Sequence, residues 1–220
     1  MIDKANFANI IQFCNQQGVT LVAVSKTKPV EDITKLYQLG QRIFGENKVQ
    51  ELVEKAQQLP GNIQWHLIGH LQTNKVKQVL PHVALIHSVD SLHLLEEIEH
   101  ESAKLSQKTE ILIQVKIAVE ETKYGLNEDE LKEIIELVNA GKFTHIVTRG
   151  LMGMASFTEA EEQVKKEFAS LKIIFNKTKE MLETSSCFDI LSMGMSGDFR
   201  LAVAEGSNMV RVGSLIFGER

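Results

Sequence analysis

The sequence lacks the features that mark secreted, membrane-spanning and metal-binding proteins. Its two cysteines, Cys14 and Cys187, lie far apart and belong to no Cys-x-x-Cys or Cys/His motif. No apolar run approaches the roughly 20 residues that a membrane helix needs. The first residues carry an acid and amides where a signal peptide would be cationic and then apolar. We therefore expect a protein of the reduced cytoplasm that makes no contact with membranes.

Basic tracts are also missing. The formal net charge is −5, and the lysines are spread along the chain. This charge pattern argues against a nucleic-acid-binding protein, because a sequence-independent binder presents a concentrated positive surface. The 220 residues are enough for one sizeable core and short for two ordinary domains. We therefore expect residues 1–220 to form one domain.

Short apolar runs alternate with helical patterns along the chain. An additional amphipathic helix is predicted over 5–17, where Phe7, Ile10 and Cys14 share a face. Eight buried strands alternating with helices predict a (β/α)8 TIM barrel with an extra N-terminal helix. An open doubly wound sheet is the alternative. It more often carries a Gly-x-Gly-x-x-Gly turn after its first strand, and this sequence has none there. The predicted strands are 21–24, 42–47, 64–69, 83–89, 111–117, 144–154, 188–192 and 208–212.

Several helix starts are predicted from local residue patterns. Asn127 and Glu130 have the spacing of a capping box, and Thr158 and Glu161 have the same spacing ahead of a longer helix. Pro29 suits the first turn of the helix that follows the first strand. The predicted inward face of that helix is Ile33, Leu36, Tyr37 and Leu39.

Polar side chains and glycines follow the predicted strands at their carboxyl ends. In parallel α/β folds that edge is where ligands bind, so these residues are expected to line one mouth of the barrel. Lys26 comes directly after the first strand. Glu46 ends the second, either as a general base or as a structural partner of a nearby polar group. The predicted mouth residues are Lys26, Gly45, Glu46, Asn47, His66, Met152, Ser196 and Arg211.

Two glycine–hydroxyl turns, at 194–198 and 213–214, follow the seventh and eighth strands. Small residues let backbone N–H groups approach an anion, and phosphate in such barrels commonly binds after these strands. A phosphate site beside Lys26 favours a phosphorylated aldehyde held as a Schiff base, because a partly buried lysine with a lowered pKa can attack a carbonyl. Pyridoxal phosphate fits. Arg211 could donate to its ring nitrogen, which would weaken the cofactor as an electron sink.

Six stretches make the sequence similar to a known family. They are 23–29 (AVSKTKP), 44–47 (FGEN), 65–69 (WHLIG) with 71–75 (LQTNK), 149–152 (RGLM), 191–198 (LSMGMSGD) and 209–218 (MVRVGSLIFG). In this order they resemble the pyridoxal phosphate homeostasis proteins, whose barrel is similar to the N-terminal domain of alanine racemase. The resemblance covers nearly the whole chain.

The resemblance implies a set of cofactor-binding residues. Lys26 would carry pyridoxal phosphate as a Schiff base, Arg211 would face the pyridine nitrogen, and Asn47 would lie beside the ring. The two glycine–hydroxyl turns would bind the phosphate. Ser214 stands where the family more often has threonine, and Ala155 where a proline often follows the Gly-Leu-Met strand. The implied cofactor-binding residues are Lys26, Asn47, Ser196, Arg211, Gly213 and Ser214.

The expected function is a cofactor carrier without catalysis. Racemisation of the alanine racemase type resembles two-base chemistry, with the lysine on one face of the substrate and a tyrosine from a second domain on the other. Neither Tyr37 nor Tyr124 is an evident second base here. Such a carrier would take part in vitamin B6 homeostasis, with transient contacts to cofactor-requiring enzymes and indirect effects on amino-acid and keto-acid pools. We expect a monomer that binds no nucleic acid. The alternatives are a weak pyridoxal phosphate-dependent racemase and an aldolase-like barrel without cofactor.

No metal site is expected. His66 and His70 have the i,i+4 spacing of metal ligands, but they flank Gly69 at a strand end and no third ligand is apparent. Met193 is interpreted either as core filling or as a cofactor contact, since methionine fills irregular gaps in cores.

Overall fold

The computed structural model describes residues 2–118, 124–184 and 186–218 of the chain. Its eight strands are parallel and close into a barrel in sequence order, with β8 hydrogen-bonded to β1. The prediction of a (β/α)8 barrel is confirmed, and the open sheet does not form. The strands are β1 Thr20–Val24, β2 Ile43–Glu46, β3 Gln64–Leu67, β4 Val83–Val89, β5 Thr109–Gln114, β6 Ile146–Met152, β7 Ile190–Ser192 and β8 Met209–Val212.

Helices follow the strands and cover the outside of the barrel. The predicted N-terminal helix is confirmed; the Asp3 side chain caps it, and the Asp3 N–H donates to the Ile216 carbonyl at 2.8 Å. Within the described residues, no helix combines the length and apolarity that a membrane span requires. The helices are α1 Lys4–Gln17, α2 Val30–Gln38, α3 Val49–Gln58, α4 Val76–Val79, α5 Leu92–Lys104, α6 Glu128–Asn139, α7 Glu161–Met181, α8 Phe199–Ala204 and α9 Ser214–Phe217.

Side chains inside the barrel form an apolar layer and, nearer the carboxyl ends of the strands, a polar one. Successive side chains of a strand point to opposite faces, so residues two apart share a face. His87 and Arg211 come two residues after the interior residues Leu85 and Met209, which places them one step nearer the mouth. The apolar layer is a separate small cluster of Val22, Leu85, Leu112, Met152 and Met209.

Gly150 allows β6 and β7 to approach closely. Its φ is +151°, and a Cβ at this position would lie 1.8 Å from the carbonyl oxygen of Ile190. The register between β5 and β6 also shifts nearby, between Ile111 and Leu112. Glycine inside a strand commonly marks such a close backbone approach, and here it allows the barrel to close on this side.

Two helix predictions are wrong at their ends. α7 begins at Glu161 with Ala160 at its N-cap and no side-chain cap. The Thr158 hydroxyl accepts a hydrogen bond from the Ala160 N–H at 3.2 Å, because the helix starts too late for Thr158 to cap it. Leu39 is not inward; it follows the last residue of α2 and is 47% exposed. The capping box that opens α6 is confirmed.

Candidate functional site

The two glycine–hydroxyl turns meet at the carboxyl end of the barrel. The backbone N–H of Gly213, after β8, donates to the hydroxyl of Ser196, after β7, at 3.2 Å. Gly213 also lies against β1, since a Cβ on it would be 3.0 Å from the carbonyl oxygen of Val24. Ser214 begins α9 directly afterwards and is exposed. The structure therefore brings the predicted phosphate-binding residues together, beside the strand that leads to Lys26.

Asp198 shapes the turn that presents Ser196. Its carboxylate accepts a hydrogen bond from the Met195 N–H at 2.5 Å, and it stands at the N-cap of α8. Burial raises the pKa of Asp198 above its ordinary value, and the Met195 hydrogen bond and the charge of Arg211 oppose this shift. The Asp198 carboxylate thus stabilises the turn that contains Ser196.

Arg211 is buried and held in one orientation. It is 4% exposed, and its Nη1 donates to the carbonyl oxygen and the hydroxyl of Ser192 at 2.9 and 2.6 Å. Its Nη2 donates to the carbonyl oxygen of Gly153 at 2.9 Å. The Nε–H and one hydrogen of Nη2 make no bond to the described residues. Burial lowers the pKa of Arg211 to about 10 and Asp198 opposes the shift, so the guanidinium stays cationic at neutral pH.

A chain of buried hydrogen bonds runs from Arg211 across the barrel. Ser192 Oγ lies 3.2 Å from His87 Nδ1, and His87 Nε2 lies 2.9 Å from His66 Nδ1. Arg211 can only donate. The arrangement that uses every proton of the chain therefore has Ser192 donating to His87 and His87 donating to His66, with both rings neutral. His66 is predicted from the sequence to lie at the mouth. His87 is missed, because its only signal is a polar residue inside an apolar strand.

Lowering the pH is expected to destabilise the fold through His66. Burial lowers the pKa of His66 to about 3 from an ordinary value of 6.5, and burial also lowers that of His87 well below its ordinary value. Between pH 6.5 and about 3 the unfolded chain therefore binds more protons than the folded protein. Stability falls as the pH falls through this window, and His66 accounts for about 2 kcal/mol of the loss between pH 7 and pH 5.

Urea unfolding at pH 7 and pH 5 measures this dependence. In His66→Gln the loss of stability between the two pH values is expected to be smaller by that amount, since position 66 no longer carries an imidazole that is protonated in the unfolded chain and neutral in the folded protein. His93→Gln, at an exposed position, is the matched control and should keep the wild-type dependence. An unchanged pH dependence in His66→Gln would contradict a buried, neutral His66.

Lys26 lies in a tight turn at the end of β1. The Lys28 N–H donates to the carbonyl oxygen of Ser25 at 3.0 Å, so Lys26 and Thr27 are the two central residues of the turn. Thr27 has a φ of +63°, a left-handed conformation that β-branched residues rarely adopt. The interior face of β1, which carries Val22, leads to Lys26, and Lys26 is half-buried.

Asn47 directly follows β2, at the same level along the barrel axis as Lys26, which follows β1. Val24 of β1 pairs with Gly45 of β2, and Lys26 and Asn47 each follow two residues later. Asn47 is half-buried, and a Cβ on Gly69 would lie 2.3 Å from its carbonyl oxygen. The turn after β3 therefore packs directly on the Asn47 backbone and fixes it beside the turn of Lys26.

Glu46 does not face the mouth. It points to the side opposite Gly45, into the layer between β2 and α3, and it is fully buried. The Ser25 hydroxyl and Lys55 Nζ both donate to its Oε1, at 2.6 and 2.7 Å. Burial raises the pKa of Glu46, and the charge of Lys55 opposes the shift. The predicted position at the mouth is wrong, and Glu46 is a structural partner. Lys55 has no sequence signal beyond that of a solvated helix face.

The remaining candidates have other neighbours. Met152 is the last residue of β6, and its side chain is completely buried against the apolar cluster inside the barrel. Met193 packs in the large apolar cluster between strands and helices. His70 Nδ1 lies 2.8 Å from Asp90 Oδ2, and its ring stacks on Tyr124 with the centroids 4.4 Å apart. In the described part of the chain, no group of three or more His, Cys, Asp and Glu side chains could hold a metal ion.

Known proteins define the class of this barrel. The sequence profile of the alanine racemase N-terminal domain family matches residues 4–220. The pyridoxal phosphate homeostasis protein of Helicobacter pylori is 40% identical over 220 residues, which cover 99% of this chain and 94% of that one. The one from Aquifex aeolicus is 39% identical over 201 residues, 91% of this chain and 86% of that one. The chain therefore belongs to the alanine racemase N-terminal domain family and, within it, to the pyridoxal phosphate homeostasis proteins.

Solved structures share the architecture. PipY of Synechococcus elongatus is 33% identical, and its structures superpose with TM-scores of 0.88 without and 0.83 with bound pyridoxal phosphate. Each match covers 97% of this chain and 99% of PipY. Alanine racemase from Bartonella henselae is 20% identical with a TM-score of 0.73, over 97% of this chain and 59% of that one. This last match shows a common fold alone.

Proposed function

We propose that this protein binds pyridoxal phosphate in the barrel mouth, holds it as a Schiff base on Lys26 and releases it for use elsewhere in the cell. The observation that carries the proposal is the meeting of the turns after β7 and β8. Gly213 N and Ser196 Oγ are 3.2 Å apart, beside the strand that leads to Lys26. This arrangement suits a ligand with a phosphate at one end and an aldehyde at the other.

Each part of the cofactor has a matching group. We assign the phosphate to the Ser196 hydroxyl and to the turn at 213–214, where small residues leave the backbone accessible. The ring nitrogen is assigned to Arg211, whose Nε–H and remaining Nη2 hydrogen are available. Asn47, on the strand next to β1, is assigned to the side of the ring. Lys26 would hold the aldehyde through its amine, with the loss of one water. When bound, pyridoxal phosphate supplies an electrophilic aldehyde and an electron-accepting ring.

The surroundings favour storage over catalysis. Arg211 is cationic and can only donate, so a ring nitrogen facing it would stay unprotonated, which would weaken the ring as an electron sink. Tyr124 is 58% exposed and stacks on His70. The Tyr37 hydroxyl donates to the side chain of Asn62 at 2.9 Å on the outside of the barrel. Neither tyrosine is presented as a second base opposite Lys26.

We propose a cytoplasmic, monomeric carrier that takes part in vitamin B6 homeostasis. Its contacts with enzymes that require the cofactor are transient, and its effects on amino-acid and keto-acid pools are indirect. A weak racemase on the same barrel is the second candidate function, and the family profile of the alanine racemase domain favours it.

Exchange of the substrate α-proton with deuterium separates the carrier from the enzyme. The loaded protein is incubated in D2O with a broad panel of amino acids, and deuterium incorporation is followed by mass spectrometry. The carrier account predicts exchange no faster than that caused by the same concentration of free pyridoxal phosphate. Faster exchange that disappears in Lys26→Ala would refute the carrier account and establish the catalyst.

A further inference from the structure

We infer that Glu51 and Lys55 of α3 are positioning residues for Lys26. They hold the two peptide groups on either side of Lys26 and thereby fix the direction in which its amine leaves the strand. The inference rests on the proposed function in one respect, namely that Lys26 is the residue that binds the aldehyde. Neither Glu51 nor Lys55 contacts the proposed position of the cofactor, because both belong to the layer between β2 and α3.

The turn around Lys26 needs support. It is closed by one backbone hydrogen bond, from the Lys28 N–H to the Ser25 carbonyl. Its second central residue, Thr27, has a φ of +63°. A turn with positive φ at that position normally uses glycine or asparagine, and a threonine there is strained. Such a conformation persists only where surrounding contacts hold it.

Those contacts come from α3. Lys55 Nζ donates to the carbonyl oxygen of Ser25 at 2.8 Å, on the amino side of Lys26. The Glu51 carboxylate accepts a hydrogen bond from the Thr27 N–H at 2.5 Å, on the carboxyl side. Glu51 and Lys55 pair with each other at 2.7 Å, one helical turn apart. A single ion pair on one helix therefore clamps both sides of Lys26.

Replacing Glu51 leaves the buried ion pair between Lys55 and Glu46 in place. Lys55 also bonds to Glu46 at 2.7 Å, and that pair joins α3 to β2 by itself. The Glu51 side chain is 22% exposed, whereas those of Lys55 and Glu46 are 7% and 0% exposed. Loss of Glu51 therefore releases the Thr27 peptide while the more deeply buried pair remains.

The test compares variants at two positions of α3. Glu51→Ala removes the acceptor for Thr27, Glu51→Gln keeps an oxygen but no charge, and Glu54→Ala changes an exposed residue of the same helix. The first readout is the rate at which pyridoxal phosphate attaches to Lys26, followed by visible absorbance. Glu51→Ala is expected to slow attachment about tenfold, an effect comparable to one hydrogen bond to a charged group. Glu51→Gln should lie between Glu51→Ala and wild type, and Glu54→Ala should match wild type.

A second readout does not depend on the cofactor. Reductive methylation of the cofactor-free protein by formaldehyde and cyanoborohydride is mapped by mass spectrometry, with the exposed Lys48 as internal reference. In Glu51→Ala the methylation rate of Lys26 is expected to move towards that of Lys48, while Glu54→Ala leaves their ratio unchanged. Should Glu51→Ala fail to fold, Glu51→Gln provides the same comparison.

The outcomes for the two proposals are distinguishable. If wild type forms no adduct with pyridoxal phosphate, the proposed function fails, and the methylation ratio still decides whether Glu51 positions Lys26. If wild type attaches the cofactor and Glu51→Ala matches Glu54→Ala in both readouts, the positioning role is overturned.

Discussion

Replacing Lys26 by alanine is expected to abolish the visible absorption band that pyridoxal phosphate gives with the wild-type protein. The band requires a lysine at the mouth, beside the turns at 194–198 and 213–214. The neighbouring lysines are directed elsewhere. Lys28 Nζ donates to the carbonyl oxygens of Phe217 and Gly218, both at 3.1 Å. Lys55 is buried behind β2. No other lysine is expected to replace Lys26.

Lys48→Ala is the matched control, because Lys48 is exposed and directly follows Asn47. It should keep both the band and its loss on borohydride treatment. A band that survives in Lys26→Ala would move the attachment to another lysine. If neither wild type nor either variant gives a band, but wild type forms borohydride-trapped adducts with simple aldehydes, the aldolase-like barrel without cofactor becomes the better account.

Replacing Lys55 by methionine is expected to destabilise the folded protein by about 3–5 kcal/mol, the usual cost of breaking a buried ion pair. Lys55 Nζ makes three hydrogen bonds, and the Glu46 carboxylate that it neutralises is completely buried. Glu46 Oε2 has no hydrogen-bond partner among the described residues. Without Lys55, the Ser25 hydroxyl would remain as a donor to Glu46 Oε1, but the buried carboxylate would lose its neutralising cation. Urea unfolding at pH 7 measures the loss.

Two controls separate charge from packing. The double variant Glu46→Gln/Lys55→Met removes both charges and should recover much of the lost stability. Lys132→Met breaks an exposed pair with Glu136, whose atoms are 3.9 Å apart, and should cost less than about 1 kcal/mol. The pKa of Glu46, already raised by burial, should rise further in Lys55→Met. Glu46 in the folded single variant then binds a proton more readily than in its unfolded chain, so the variant should lose less stability than wild type as the pH is lowered from 7 to 5. Equal losses in the single and double variants would contradict this account.

The barrel could be predicted from sequence because its signals are local. Runs such as 111–113 are apolar on both faces, which indicates strands covered inside and outside, and the capping box at Asn127 predicts where α6 begins. Strand lengths were predicted less well. β3 ends at Leu67 although the apolar pattern continues to 69, because the chain turns there to pack on Asn47. Thr158 fits a capping pattern, but α7 begins after Ala160.

The residues of the candidate site could be predicted where they directly follow strand ends. The prediction failed where the position of a residue depends on the direction of its side chain or on a partner that is distant in sequence. Glu46 ends β2, but alternation about Gly45 turns its carboxylate away from the mouth. The partnership of Lys55 with Ser25 and Glu46 depends on how α3 packs against two strands, which no local pattern specifies. The hydrogen bond of His87 could not be predicted either, because its partner Ser192 is distant in sequence and lies next to His87 only in the closed barrel.

The most direct test of the central claim is to map the lysine that carries pyridoxal phosphate in the wild-type protein. The protein is saturated with the cofactor, reduced with borohydride, digested and analysed by mass spectrometry. The account predicts one stoichiometric pyridoxyl adduct, on Lys26, and unmodified peptides for Lys28, Lys48 and Lys55. A main adduct on any other lysine, or none at all, would contradict the claim that the end of β1 is the attachment site.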